Sequence, residues 1–109
     1  MHQNVKDAIL AATELDTRLI MRPLRNTERV LTNPAVEKVI DIEREKGSDI
    51  KIDDIYDLVA GIFPKVMLDG DMAAGAWSCG MVAGLINDVP TCQDLLDGMM
   101  GEAQDIIRG

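Results

Sequence analysis

The segment from Met72 to Asn87 constrains the fold of this chain more than any other, because seven of its residues are glycine or alanine. Each glycine costs a helix about 1 kcal/mol relative to alanine, so several together usually mean that another group approaches the backbone closely. We predict a glycine-rich helix here, approached by another helix, a barrel wall or a ligand. Its large side chains are Trp77, Met81, Val82, Leu85 and Ile86.

Apolar residues at helical spacing predict four further helices. One covers residues 3–14, and a second covers residues 34–46, where Asn33 is a typical capping residue and Pro34 suits the first helical position. A short helix follows over residues 53–61, and the last helix opens at Thr91 and runs to the end of the chain. The sequence therefore predicts a mainly α fold with five helical segments and at most a short two-stranded ribbon.

The predicted ribbon begins with residues 17–23, where polar and apolar residues alternate ahead of Pro23. Its candidate partner is the stretch 63–68, in which Val66 and Leu68 are expected to pair with residues 19–21. Residues 25–31 are predicted to form a short helical turn between the two.

Length and charge limit the classes of function. A chain of 109 residues has room for one domain, and its net charge of −8 repels phosphate backbones and anionic membrane surfaces. No stretch approaches the roughly 20 apolar residues that span a bilayer, and residues 1–4 lack the features of a signal peptide. We therefore expect a cytoplasmic protein that binds neither nucleic acid nor membranes.

The cysteines and the histidine offer little chemistry. Cys79 and Cys92 lie in segments with a helical pattern and have no CxxC or Cys/His partner spacing, so we expect two buried thiols rather than a disulfide or metal site. His2 is the only histidine, and at this position we expect it to be solvated. No metal ligands are assigned.

Two stretches carry a resemblance to a known family. The first is residues 16–27 (DTRLIMRPLRNT), followed by Arg29, Val30, Leu31 and Asn33. The second comprises residues 70–72 (GDM), 75–86 (GAWSCGMVAGLI) and 88–90 (DVP). In order and separation they resemble the nitronate monooxygenases, formerly called 2-nitropropane dioxygenases, and the related flavin-dependent enoyl-acyl carrier protein reductases. Between them they anchor most of the chain, from residue 16 to residue 90.

The resemblance implies a position within a larger architecture. Members of this family have a TIM barrel that binds FMN and a smaller helical domain that covers the flavin. On this basis residues 1–109 are a single helical domain: a helix over 3–14 that follows the barrel, a small lid-like domain over 16–70, and the C-terminal helices over 71–109. FMN is the cofactor of the intact family, and we expect this chain alone to bind none.

The family's catalytic and phosphate-binding groups do not appear in the matched stretches. Its catalytic histidine lies in an Ala-Gly-His motif on an earlier barrel strand, whereas His2 stands between Met1 and Gln3. The glycine-rich loops that hold the FMN phosphate also precede the matched region, and no GxGxxG or P-loop replaces them. We assign no catalytic and no cofactor-binding residue.

Four residues are candidates for binding substrate. Trp77, Ser78 and Met81 are expected to line the flavin or substrate pocket of an intact enzyme, although many family members have glutamine in place of Met81. The alternative is that Trp77 and Met81 pack in the core. Arg22, with Arg25 beyond Pro23, is a candidate for binding a nitronate or a phosphate, and the alternative is pairing with surface carboxylates.

Two functions from different classes follow. In the first, the chain is the C-terminal part of an FMN-dependent oxidoreductase, where it supplies a lid and part of the pocket for the barrel and is inactive alone. In the second, it is an autonomous helical interaction module that self-associates through apolar surface.

Overall fold

The computed structural model describes all 109 residues and is mainly helical, as the sequence predicted. Three short 3-10 helices cover Gly47–Asp49, Ile52–Asp54 and Met81–Leu85. None of the helices has the length and apolar character needed to cross a membrane. The five α-helices are α1 (Gln3–Ala11), α2 (Pro34–Lys46), α3 (Tyr56–Val59), α4 (Phe63–Met67) and α5 (Cys92–Arg108).

The two strands form an antiparallel hairpin. Strand β1 (Thr17–Ile20) confirms the predicted extended stretch, and it pairs with β2 (Glu28–Leu31). The predicted partner was wrong, because residues 63–67 form helix α4, and the predicted helical turn over 25–31 contains β2 instead. Pairing β1 with β2 closes a loop of only seven residues. Pairing β1 with residues 63–68 would close a loop of about 40 residues, which costs more conformational entropy.

Two hydrophobic clusters lie on either side of the hairpin. The first packs α2 and the residues next to the first two 3-10 helices against the hairpin, and the second packs α1 and α4 against Trp77. The first consists of Ile20, Met21, Val30, Val36, Val39, Ile40, Ile50, Ile55 and Ala76. The second consists of Val5, Leu31, Ile62, Val66, Met67 and Trp77.

Asn33 connects the start of α2 to the glycine-rich segment. Its side-chain oxygen accepts from the Val36 N–H at 2.9 Å, which caps the helix as predicted, and its Nδ2 donates to the Gly75 carbonyl at 3.0 Å. One side chain therefore satisfies a helix terminus and fixes a loop that is 42 residues away.

Asn33→Ala is expected to lower the free energy of unfolding by about 2 kcal/mol, since it removes both the helix cap and the bond to Gly75. Thermal and urea denaturation followed by circular dichroism measure this. Thr91→Ala is the matched control, because it removes only the local cap of α5, where Thr91 Oγ1 accepts from the Asp94 N–H. Equal losses in the two variants would contradict the connecting role of Asn33.

Helix α5 extends away from the rest of the chain. None of its 17 residues is buried, and the radius of gyration is 17.0 Å, against about 13 Å for a compact chain of this length. Because successive residues of a helix advance by about 100°, its apolar side chains share one continuous face. This apolar face of α5 consists of Cys92, Leu95, Leu96, Met99, Met100, Ala103, Ile106 and Ile107.

The surroundings of the two thiols and of His2 differ from those that the sequence predicted. Cys79 is half-buried and outside any helix, and Cys92 is exposed because nothing covers α5. His2 is not simply solvated, because its Nδ1 accepts from the Asn4 N–H at 3.0 Å and so caps α1. The backbone N–H of His2 donates to the Met67 carbonyl.

Alkylation is expected to distinguish the thiols. Burial raises the pKa of the Cys79 thiol, so less of the reactive thiolate is present at neutral pH, and access to it is restricted. Cys92 is exposed, and we expect it to react first with iodoacetamide, as measured by peptide mass spectrometry over time. Faster labelling of Cys79 in the folded protein would contradict this assignment, and labelling in denaturant is the control.

Candidate functional site

The glycine-rich segment is not the predicted helix. Residues 72–75 form turns, residues 76–79 are extended, and only Met81–Leu85 are helical, as a 3-10 helix. The extended part runs antiparallel to β2: Ser78 bridges Val30, and the Leu31 N–H donates to the Trp77 carbonyl at 3.3 Å. This pairing satisfies backbone groups that would otherwise remain free on the outer edge of β2. The segment is therefore extended, although its apolar side chains are spaced as in a helix.

The expected close approach to the glycines is present, and the chain itself supplies it. A Cβ on Gly75 would lie 2.5 Å from both the Leu58 carbonyl oxygen and a side-chain carbon of Ile62. A Cβ on Gly84 would lie 2.6 Å from the backbone nitrogen of Glu14. Both glycines therefore serve internal packing.

Trp77 lies in the second hydrophobic cluster. Its side chain is only 4% exposed, which is the placement that the packing interpretation expects. It also lines two small cavities. Trp77 thus connects the core to the cavities that Ser78 also lines.

Ser78 lies at the first of these cavities, which has a volume of about 190 Å³. Its Oγ donates to Glu28 Oε1, and Phe63 stands at the rim with an exposed ring. Glu28 was not identified from the sequence. The sequence feature that could have identified Glu28 is that it is the only acidic residue among the arginines of the hairpin.

Met81 is the first residue of the 3-10 helix and does not line either cavity. Its side chain is 50% exposed. The second cavity, of about 220 Å³, is mostly apolar and lies between α1 and this 3-10 helix, with Cys79 among its lining residues.

Arg22 and Arg25 lie on the loop that joins β1 to β2, and both are exposed. The Arg25 N–H donates to the Arg22 carbonyl at 2.9 Å, which closes a tight turn. Neither guanidinium lies within 4 Å of a carboxylate, since the only ion pair of the chain joins Lys46 to Asp54. The pairing with surface carboxylates that the sequence allowed is therefore not observed.

The four sequence candidates do not form one site. Trp77 and Ser78 share a cavity with Glu28, whereas Met81 lies on the next 3-10 helix and Arg22 on the hairpin loop. No group of three or more histidine, cysteine or carboxylate side chains is arranged to hold a metal ion. The site region is thus one polar pair beside a tryptophan, with a separate arginine loop.

The fold is that of a mainly helical unit with one hairpin, and it matches part of a larger solved protein. The structure of FabK from Thermotoga maritima superimposes with a TM-score of 0.83 at 22% sequence identity, and a mutant of the same protein with a TM-score of 0.74 at 20%. Each match covers 98% of this chain, which spans 33% and 30% of the two matched chains.

Among curated proteins, one similarity covers a short stretch of the chain. The similar protein is the (3aS,4S,5R,7aS)-5-hydroxy-7a-methyl-1-oxo-octahydro-1H-indene-4-carboxyl-CoA dehydrogenase of Rhodococcus jostii strain RHA1, which is 43% identical over 37 residues. That match covers 34% of this chain and 10% of the dehydrogenase. No protein-family model matches the chain.

Proposed function

We propose that this chain is the C-terminal part of a nitronate monooxygenase-like, FMN-dependent oxidoreductase, in which it forms a lid and one wall of the substrate pocket. The observation that carries the proposal is the apolar face of α5, which has no cover within the chain. The resemblance of residues 16–33 and 70–90 to that family supports it. The proposed partner is the TIM-barrel portion that binds FMN.

The apolar face of α5 needs a neighbour on physical grounds. Leu96 is 59% exposed and Ile107 is 84% exposed, and together with six further residues they line one side of a helix about 25 Å long. Soluble monomers rarely leave an apolar patch of this kind uncovered. A chain that spans about a third of the matched FabK structures leaves ample protein to cover it.

The cavities beside Trp77 and along α5 are poor matches for a flavin. The two cavities beside Trp77, at about 190 and 220 Å³, are smaller than the roughly 300–1,000 Å³ of typical ligand pockets. The larger cleft of about 820 Å³ between α5 and residues 82–90 is lined by Asp88, Asp94 and Glu102, which repel a phosphate. His2, whose Nδ1 is engaged in capping α1, is poorly placed for proton transfer to a substrate.

Within the intact protein, the region around Ser78 would face the substrate. Its hydroxyl and the Glu28 carboxylate form a polar pair at an open cavity, with Arg22 available for an anionic group. Nitronate is the substrate class that the family resemblance favours. The dehydrogenase from Rhodococcus, named for a carboxyl-CoA, supports a thioester as the second candidate class.

The decisive test is expression of the reading frame extended upstream of Met1. We expect an in-frame barrel with an Ala-Gly-His motif, a yellow purified protein, and turnover of a nitronate or an acyl thioester. The 109-residue chain, purified separately, should be colourless and inactive. Stoichiometric FMN and turnover by the 109-residue chain alone would refute the proposal.

A second measurement addresses the alternative of a self-associating module. Without its cover, the chain is expected to form dimers or larger species through the apolar face of α5, and analytical ultracentrifugation should detect them. Leu96→Glu should shift the distribution toward monomer, whereas Gln104→Glu, on the polar side of α5, should leave it unchanged. Loss of association in both variants, or a wild-type chain that stays monomeric, would contradict this role of α5.

A further inference from the structure

We propose that the loop between β1 and β2 is a binding site for phosphate groups, with Arg22 and Arg25 as its principal ligands. The site deepens the proposed function and rests on it for one point: the phosphates would belong to the carrier part of a substrate bound next to the flavin pocket. The residues themselves carry the rest of the inference.

Charge is the first observation. Residues 17–31 contain four arginines and one glutamate, a net charge of +3 in a chain whose total is −8. A positive region of this kind in an acidic protein attracts anions locally against the overall field. Arginine is the residue best suited to phosphate, because its planar guanidinium donates two parallel hydrogen bonds.

The second observation is that the guanidinium groups of the loop are free of ion pairs, while the neighbouring carboxylates bind other donors. Glu28 accepts a hydrogen bond from Ser78, and Glu43 accepts one from the Met21 N–H at 2.5 Å. No ion pair forms with Arg22 or Arg25. Both arginines are therefore unpaired in the folded chain and available to a ligand.

Backbone geometry is the third observation. Met21 and Arg25 are the only residues other than glycine with positive φ, at 62° and 55°, and side chains disfavour this left-handed region. Strain of this kind persists where the surroundings fix it, and it clusters at binding sites. Here the buried Met21 side chain, its bond to Glu43 and the bond from the Asn26 N–H to the Met21 carbonyl hold the loop.

A loop fixed in this way loses little conformational freedom on binding. The side chains of Asn26 and Thr27 are exposed and form no hydrogen bond within the chain, so they offer further donors. A ligand with several acceptor oxygens, such as a phosphate ester or a diphosphate, matches this set of groups.

The test is a calorimetric and NMR titration of the full 109-residue chain with pyrophosphate and, separately, with coenzyme A. The loop variant combines Arg22→Gln with Arg25→Gly, because glycine accepts the positive φ and preserves the loop. The control combines Lys38→Gln with Arg44→Gln on the exposed side of α2, which changes the net charge equally. Circular dichroism verifies that both variants are folded.

We expect the loop variant to weaken binding of both ligands by about tenfold or more, since two charge-assisted contacts are lost. The control should change affinity by less than about twofold, as expected for exposed charges that do not belong to the loop and are screened by salt. Chemical shift changes on the wild-type chain should concentrate on residues 21–27.

Three results would overturn the site: no binding by the wild-type chain, equal weakening in the control variant, or binding of coenzyme A that does not depend on the loop. Loop-dependent binding of pyrophosphate alone would still support a phosphate site and would assign it to a free phosphate rather than a nucleotide carrier. The proposed function is tested separately, by flavin content and turnover of the extended protein, so failure of phosphate binding here does not decide it.

Discussion

Gly75→Ala is expected to lower the free energy of unfolding by about 3 kcal/mol, because the added methyl group has no space. Its carbon would lie 2.5 Å from the Leu58 carbonyl oxygen and from a side-chain carbon of Ile62. The Leu58 carbonyl cannot move aside cheaply, since it accepts the Ala76 N–H at 2.8 Å. Relief of the clash therefore breaks the bond that holds the extended segment in place.

Urea denaturation monitored by circular dichroism measures this effect. The matched control is Gly98→Ala in α5, where an added Cβ meets nothing within 4 Å. Alanine is the better helix former, so this control should stabilise α5 by up to about 1 kcal/mol. A Gly75→Ala protein as stable as the wild type would show that α3 and the glycine-rich segment are less closely packed than described.

The second large effect is expected for Trp77→Ala, at about 3–5 kcal/mol. Trp77 is 4% exposed and packs in the second hydrophobic cluster, so truncation leaves a large cavity there. The carbonyl of Trp77 also accepts from β2, and a collapsed cluster would weaken that pairing. In so small a chain this loss approaches the whole free energy of unfolding.

Met81→Ala is the control for Trp77→Ala, because Met81 is half exposed and its truncation should cost within about 0.5 kcal/mol. The chain has a single tryptophan, so fluorescence reports its burial directly: the folded wild type should emit at shorter wavelength than the protein in urea. A small loss in Trp77→Ala, together with solvent-exposed emission in the folded wild type, would contradict the core placement.

Local signals in the sequence predicted the elements whose stability is local. The pair Asn33–Pro34 correctly marked the start of α2, and Thr91 marked the start of α5. Capping and periodicity act within one or two turns, so neighbouring residues suffice to reveal them. The extended stretch at β1 was predicted for the same reason.

Two elements that depend on pairing between strands were predicted wrongly. Strand β2 was taken for a helical turn although only seven residues separate it from its partner β1, and the segment around Ser78 was taken for a helix because its partner, Val30, lies 48 residues earlier in the chain. For the candidate site, the sequence drew attention to Ser78 and Arg22. The Glu28 partner of Ser78 and the absence of ion pairs on the arginine loop emerged only from the folded arrangement.

The amino-acid order by itself determined the mainly helical character, the capped helices and the acidic charge with its basic hairpin, since these depend on composition and on neighbours a few residues away. The tertiary structure decided which glycines are crowded, that Trp77 is buried, and that α5 has no cover. Those properties depend on which surfaces meet, and surfaces meet only when the whole chain has folded.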